Sequence, residues 1–105
     1  MGDTEVKKAI QIDERDNVAT VTSEVQAAES VRVLSPQGVV LVEVLVKEAI
    51  PFGHKVALAD IKVGERVVKY GETIGLASKQ IKKNEWVHIH NVESAAVPTS
   101  AFRRK

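Results

Sequence analysis

The chain has 105 residues, with 15 Lys plus Arg against 14 Asp plus Glu, three His and no Cys. That describes one small, nearly neutral domain with room for a modest hydrophobic core, and it excludes disulfides and Cys-ligated zinc or iron–sulfur sites. Charges of both signs are interspersed, and the C-terminal run Phe102-Arg103-Arg104-Lys105 lacks the interleaved aromatics of a base-stacking surface, so nucleic acid is not an expected partner.

Thirty residues are Val, Ile or Thr and only four are aromatic. β-branched side chains pack well on a pleated surface and lose rotamer freedom in a helix, so an all-β body with at most short helical turns is expected. Residues 1–8 are polar and expected to be flexible. Their opening, Met1-Gly2-Asp3-Thr4-Glu5, lacks the basic-then-apolar order of a secretory signal, and the cytoplasm is the expected compartment. The body spans 9–92. Strands are expected at 9–12 and 18–21, around a turn, Asp13-Glu14-Arg15-Asp16-Asn17, rich in residues that bond their own backbone. A short strand at 31–34 ends at Ser35-Pro36-Gln37-Gly38. The following run, 39–46, is apolar enough to predict a strand buried on both faces; with Glu43 inside it, it falls far short of the ~20 residues that span a bilayer, and no membrane is expected. Further strands are expected at 56–58, 66–70, 73–77 and 86–89, with Tyr70-Gly71-Glu72 as a tight turn. Residues 93–105 form a tail.

A pattern recurs four times: an apolar residue, a turn-permissive residue three places on, and Val three places after that. The copies are Val25-Ala28-Val31, Ile50-Gly53-Val56, Ile61-Gly64-Val67 and Ile81-Asn84-Val87. Gly and Asn tolerate positive φ, so three copies suit a sharp turn into a strand, and Ala28 fits less well. The next position is Glu29, His54, Glu65 and Glu85. His54 is therefore the exception, either a solvated substitution or a group released for chemistry.

Other segments carry chemistry too. As a strand, Trp86-Val87-His88-Ile89-His90-Asn91 places His88 and His90 on one face, where two imidazoles could share a metal ion or an anion; a wet strand face has the same pattern, and no third ligand has suitable spacing nearby. Asp60, Glu65 and Glu85 read as turn and surface carboxylates. Gly53-His54-Lys55 sets a titratable ring and a cation beside a glycine, and Lys69-Tyr70-Gly71 offers a second cation and a phenol. Together they suit a small polyhydroxylated acid, although a solvated Lys and a half-buried Tyr at a hairpin end look the same. There is no nucleophile elbow, phosphate loop or dinucleotide-binding glycine pattern, and a complete active site is not expected in a chain of this length.

Taken together, Asp16-Asn17-Val18-Ala19, Gly53-His54-Lys55-Val56-Ala57-Leu58, Lys69-Tyr70-Gly71-Glu72-Thr73-Ile74-Gly75 and Val87-His88-Ile89-His90-Asn91-Val92 resemble the SAF-type N-terminal domain of the altronate and galactarate dehydratases. They also resemble the free-standing small subunit of split relatives, including the sulfolactate sulfo-lyase. The resemblance implies a β-clip fold, related to the antifreeze-like domain of sialic acid synthases. It also implies a role beside a large catalytic subunit that holds a divalent metal, iron being expected, and removes water or sulfite from a hydroxy acid; no cofactor is expected in this chain alone. On that reading His54 is the catalytic candidate. Lys55, Lys69, Tyr70, Gly71, His88, His90 and Asn91 are the substrate-binding candidates, and none is a metal ligand. The alternatives are a stand-alone carboxylate- or carbohydrate-binding module and an antifreeze-like SAF module without catalysis.

Overall fold

A computed structural model describes residues 6–94. Among them the chain forms nine strands and no helix: β1 (Lys7–Ile10), β2 (Val18–Val21), β3 (Ser30–Leu34), β4 (Val40–Leu45), β5 (Lys55–Ala57), β6 (Arg66–Lys69), β7 (Glu72–Ala77), β8 (Trp86–Val87) and β9 (Val92–Glu93). The all-β expectation holds. A six-stranded sheet has the order β4-β3-β1-β2-β5-β8 and a three-stranded sheet the order β6-β7-β9. The β1–β3 pair is parallel, and every other pair is antiparallel. No helix among the described residues is long and apolar enough to cross a membrane. The expected flexible start and tail fall largely outside the described residues, although β1 begins at Lys7 and β9 reaches Glu93.

Two hydrophobic cores lie on either side of β2 and β5. The first gathers Ala19, Val21, Val25, Val31, Val33, Val46, Ile50 and Val56 among others, with Leu58 and Trp86 packed against it. The second gathers Val18, Ala57, Ile61, Val67, Ala77, Ile81 and Val87. Successive side chains of a strand point to opposite faces. Val18 and Ala19 therefore serve different cores, as do Ala57 and Val56. Full burial of each Val or Ile is worth roughly 1.5–3 kcal/mol, so these small aliphatic cores carry most of the stabilisation.

The strand buried on both faces is thus not at 39–46, as its apolar run predicts. β4 is the outer strand of its sheet and pairs only with β3. Val44 and Val46 reach the core, while Val39, Val40, Leu41, Val42 and Leu45 are exposed. Apolarity alone does not distinguish a central strand from an apolar edge.

All four copies of the recurring pattern adopt one backbone device. Ala28, Gly53, Gly64 and Asn84 have φ of +72°, +82°, +87° and +77°. Ala28 conforms with the others despite its Cβ. In each copy the N–H of this residue donates to the carbonyl of a buried apolar residue (Val46, Val21, Ala77 or Ala57), whose own N–H donates to the carbonyl of the next residue in the turn. The leading apolar residues pair reciprocally, Val25 with Ile50 in the first core and Ile61 with Ile81 in the second, through N–H···O bonds of 2.8–2.9 Å. Copies one and two close the first core; copies three and four close the second.

Asp16 and Asn17 join the two sheets. The Asn17 side chain accepts the Val68 N–H at 2.8 Å and donates to the Arg66 carbonyl at 2.9 Å. The buried Asp16 carboxylate accepts the N–H groups of Gly71 (2.8 Å) and Asp13 (3.1 Å). The first loop is thereby fastened to the β6–β7 hairpin.

Candidate functional site

The second copy of the turn differs from the others in one polar exchange. In copies one, three and four, a Glu carboxylate accepts the N–H three residues earlier: Glu29 from Gln26 at 2.7 Å, Glu65 from Lys62 at 2.8 Å and Glu85 from Lys82 at 2.8 Å. The corresponding residue in copy two is Pro51, which has no N–H. A carboxylate at position 54 would have nothing to accept there, and that position carries His54. Its backbone is still held, with its N–H on the Pro51 carbonyl at 3.0 Å and its carbonyl accepting the Val21 N–H at 2.9 Å. The side chain is free to point elsewhere.

It turns to Trp86 on the paired strand β8, whose indole Nε1–H donates to His54 Nδ1 at 3.1 Å. The His54 ring centroid lies 4.4 Å from that of His88 and 5.6 Å from that of Trp86. His88 stacks nearly parallel to Trp86 at 5.7 Å, and His90 meets the same indole at 4.9 Å. All three imidazoles of the chain gather around its single Trp.

The expected strand at 86–89 ends at Val87. Residues 88–91 form a turn in which Asn91 donates its N–H to the His88 carbonyl at 3.0 Å. The Asn91 side chain, itself buried, accepts the His88 N–H at 2.9 Å and donates to the Trp86 carbonyl at 2.8 Å. Strand alternation does not set the placement of His88 and His90; this turn does, and it bends both rings to the indole. The Asn91 amide is engaged in holding the turn.

Beside the imidazoles, Lys55 and His88 line a groove of about 300 Å³ with Ile74, Ile89, Val92, Glu93 and Ser94. Burial, and then the like charge of Lys69, push the Lys55 ammonium below the usual lysine range. Desolvation, followed by the charges of His54, Lys55 and His90, likewise lowers the pKa of His88. Burial leads both shifts and the neighbouring positive groups add to it, while the Glu93 carboxylate also lines the groove.

The other sequence candidates lie at the β6–β7 hairpin. Tyr70 and Gly71 have φ of +59° and +72°, as a two-residue hairpin loop with both central residues left-handed requires. The Tyr70 ring is exposed, and the Lys69 ammonium lies 4.9 Å from its centroid. No ring contact among the described residues joins Tyr70 to the imidazoles. The Gly71 N–H is given to Asp16, and a Cβ there would come within 2.5 Å of the Arg15 guanidinium, which is paired with Asp13. The structure therefore assembles His54, Lys55, His88 and His90, brings Lys69 close enough to influence Lys55, and uses Gly71 and Asn91 in the scaffold.

Sequence reasoning missed Trp86 as a site residue, together with the groove walls Ile74, Val92 and Glu93. Trp86 could have been found as a lone indole two and four residues ahead of two histidines. The walls come from β7 and β9 and have no local signal.

A family model described as the altronate/galactarate dehydratase SAF domain matches residues 7–95. Altronate dehydratase of Bacillus subtilis is 36% identical over 89 residues, 85% of this chain and 17% of that protein. The (2R)-sulfolactate sulfo-lyase subunit alpha of Chromohalobacter salexigens is 47% identical over 49 residues, 47% of this chain and 52% of that subunit. Galactarate dehydratase of Escherichia coli is 36% identical over 78 residues, 74% of this chain and 14% of that enzyme. The chain thus spans a small part of the dehydratases and about half of the sulfo-lyase subunit. Its two-sheet all-β architecture is consistent with a β-clip. By the extent of these matches, the chain belongs to the SAF-domain family of the altronate and galactarate dehydratases.

Proposed function

We propose that this chain is the small subunit of a two-chain cytoplasmic lyase, binding part of a small hydroxy-acid substrate beside a large metal-containing chain. The observation that carries the reading is the groove lined by Lys55 and His88, with His54 packed against His88 and His90 against the neighbouring Trp86, in a SAF-family chain. The naming of one relative as a subunit alpha supports the two-chain arrangement.

In this proposal, Lys55 and His88 bind the substrate carboxylate, and Lys69 adds to the positive field. His54 donates to a substrate oxygen or moves a proton. Elimination next to a carboxylate removes a proton from one carbon and a leaving group from its neighbour. Water departure requires a proton at the leaving oxygen, whereas sulfite can depart as the anion, so a titratable donor matters more for dehydration. Among the described residues no group of three His, Cys, Asp or Glu side chains could hold a metal ion. The proposal places the divalent metal in the large chain, as the family resemblance implies, and no step here passes through it.

Co-expression with a large dehydratase or sulfo-lyase chain encoded in the same genome, followed by co-purification, tests the reading. The complex should turn over one of altronate, galactarate or sulfolactate, and this chain alone should turn over none. Turnover by the chain alone would overturn it. Hydroxy-acid binding without any large-chain association would favour the stand-alone binding module.

A further inference from the structure

Histidine carries its neutral proton on one of two nitrogens, and the partner of one nitrogen decides which. An indole N–H can only donate. With Trp86 Nε1 3.1 Å from His54 Nδ1, that nitrogen must present its lone pair. We infer that Trp86 is a positioning residue that holds neutral His54 as the Nε2–H tautomer, so that His54, beside the groove-lining His88, offers an oxygen ligand a hydrogen-bond donor and not an acceptor.

Several independent features hold the pair in place. The His54 backbone is fixed by the Pro51 and Val21 bonds. Trp86 is fixed by its strand pairing to Val56, by the Glu48 carboxylate accepting its main-chain N–H at 3.1 Å, and by Asn91 bonding its carbonyl. Indole packing against the first core restricts the ring further. Pro51 removes the N–H that engages a carboxylate in the sister turns, leaving the His54 side chain to meet the indole. A proton on Nδ1 would set N–H against the indole N–H. A carboxylate or hydroxyl oxygen is the ligand atom that an Nε2–H suits.

The functional half of this inference rests on the proposed substrate role of His54; the tautomer does not. Long-range ¹H–¹⁵N correlation on the 105-residue chain, at a pH where His54 is neutral, should show Nδ1 unprotonated and Nε2 protonated. In Trp86→Phe the preference should relax toward a mixture of tautomers. A protonated Nδ1 in the wild type, or identical His54 nitrogen shifts in wild type and Trp86→Phe, would overturn the inference. Should Trp86→Phe fail to fold, the wild-type spectrum alone decides. In the assembled enzyme, His54→Gln, whose amide can reach the Nε2 position, should retain at least ~10-fold more kcat/KM than His54→Asn, whose amide reaches only Nδ1. Equal activity of the two variants with the expected spectrum would support the tautomer and refute the substrate role of His54.

Discussion

The turn from Ile50 to Val56 and its counterpart from Ile61 to Val67 follow the same backbone path. Each begins with a fully buried Ile, passes through a left-handed Gly and ends in a buried Val. They differ in one exchange. Glu65 uses its carboxylate to hold the Lys62 N–H, whereas Pro51 presents no such donor and the side chain of His54 reaches across to Trp86. Main-chain bonds and the left-handed residue maintain the turn in both. A position whose side chain is not needed for the turn can be given to chemistry without loss of the fold.

The largest expected effect tests what the turns share. Ile50→Ala and Ile61→Ala should each cost about 2–5 kcal/mol, since each empties the centre of one core. Urea denaturation should show comparable losses; a near-neutral result at Ile50 would mean that the first core does not depend on its turn as the second does.

The second prediction addresses the exchange through function. His54→Glu should reduce kcat/KM of the assembled enzyme at least ~10-fold, equivalent to about 1.4 kcal/mol, with little change in the melting curve of the free chain. Unchanged kinetics with an unchanged melting curve would leave His54 a packing partner of Trp86 with no part in the chemistry.

A double-mutant cycle sharpens the same point on stability. Pro51→Ala restores an N–H at the position where the other copies have one, and His54→Glu supplies its acceptor. The two changes together should be more stable than the sum of the single changes by about 1 kcal/mol, the usual worth of such a bond. A coupling near zero, measured by denaturant unfolding, would separate the carboxylate from the turn.

The smallest effect concerns the first copy. Ala28 has φ of +72°, where a Cβ is disfavoured. Ala28→Gly should stabilise the chain by about 0.5–1 kcal/mol, seen as a higher melting temperature. A lower one would show that the backbone bonds around Ala28 have removed the conformational strain.

Much of this comparison is legible in the amino-acid sequence. The strand runs, the four-copy pattern and the exceptional His54 all follow from residue type and spacing. Ala28 is harder, because its intrinsic preference opposes the conformation that its main-chain bonds impose. The absence of an N–H at Pro51 is visible in the sequence, but its significance requires the Glu–backbone bonds of the sister turns to be seen. The edge position of β4 is set by topology, to which an apolar run is blind. The meeting of His54 with Trp86 is fixed by the β5–β8 register, Lys55 opposite Val87 and Val56 opposite Trp86, which joins residues 32 apart in the chain. Strand alternation gives a common face for His88 and His90 but not the turn at Asn91 that bends them to the indole.

The sharing of β2 and β5 between the cores has a consequence for how the molecule comes apart. Opening the second core would expose Val18 and Ala57 while their neighbours Ala19 and Val56 still pack in the first. Opening the first would do the reverse. Neither half of the internal repetition can therefore leave as an independent foldon, because each relies on the other to keep β2 and β5 out of water. The repeated pattern marks not two small domains in tandem but one cooperative unit. Exchanging a single half for that of a relative would require both faces of these strands to be matched at once.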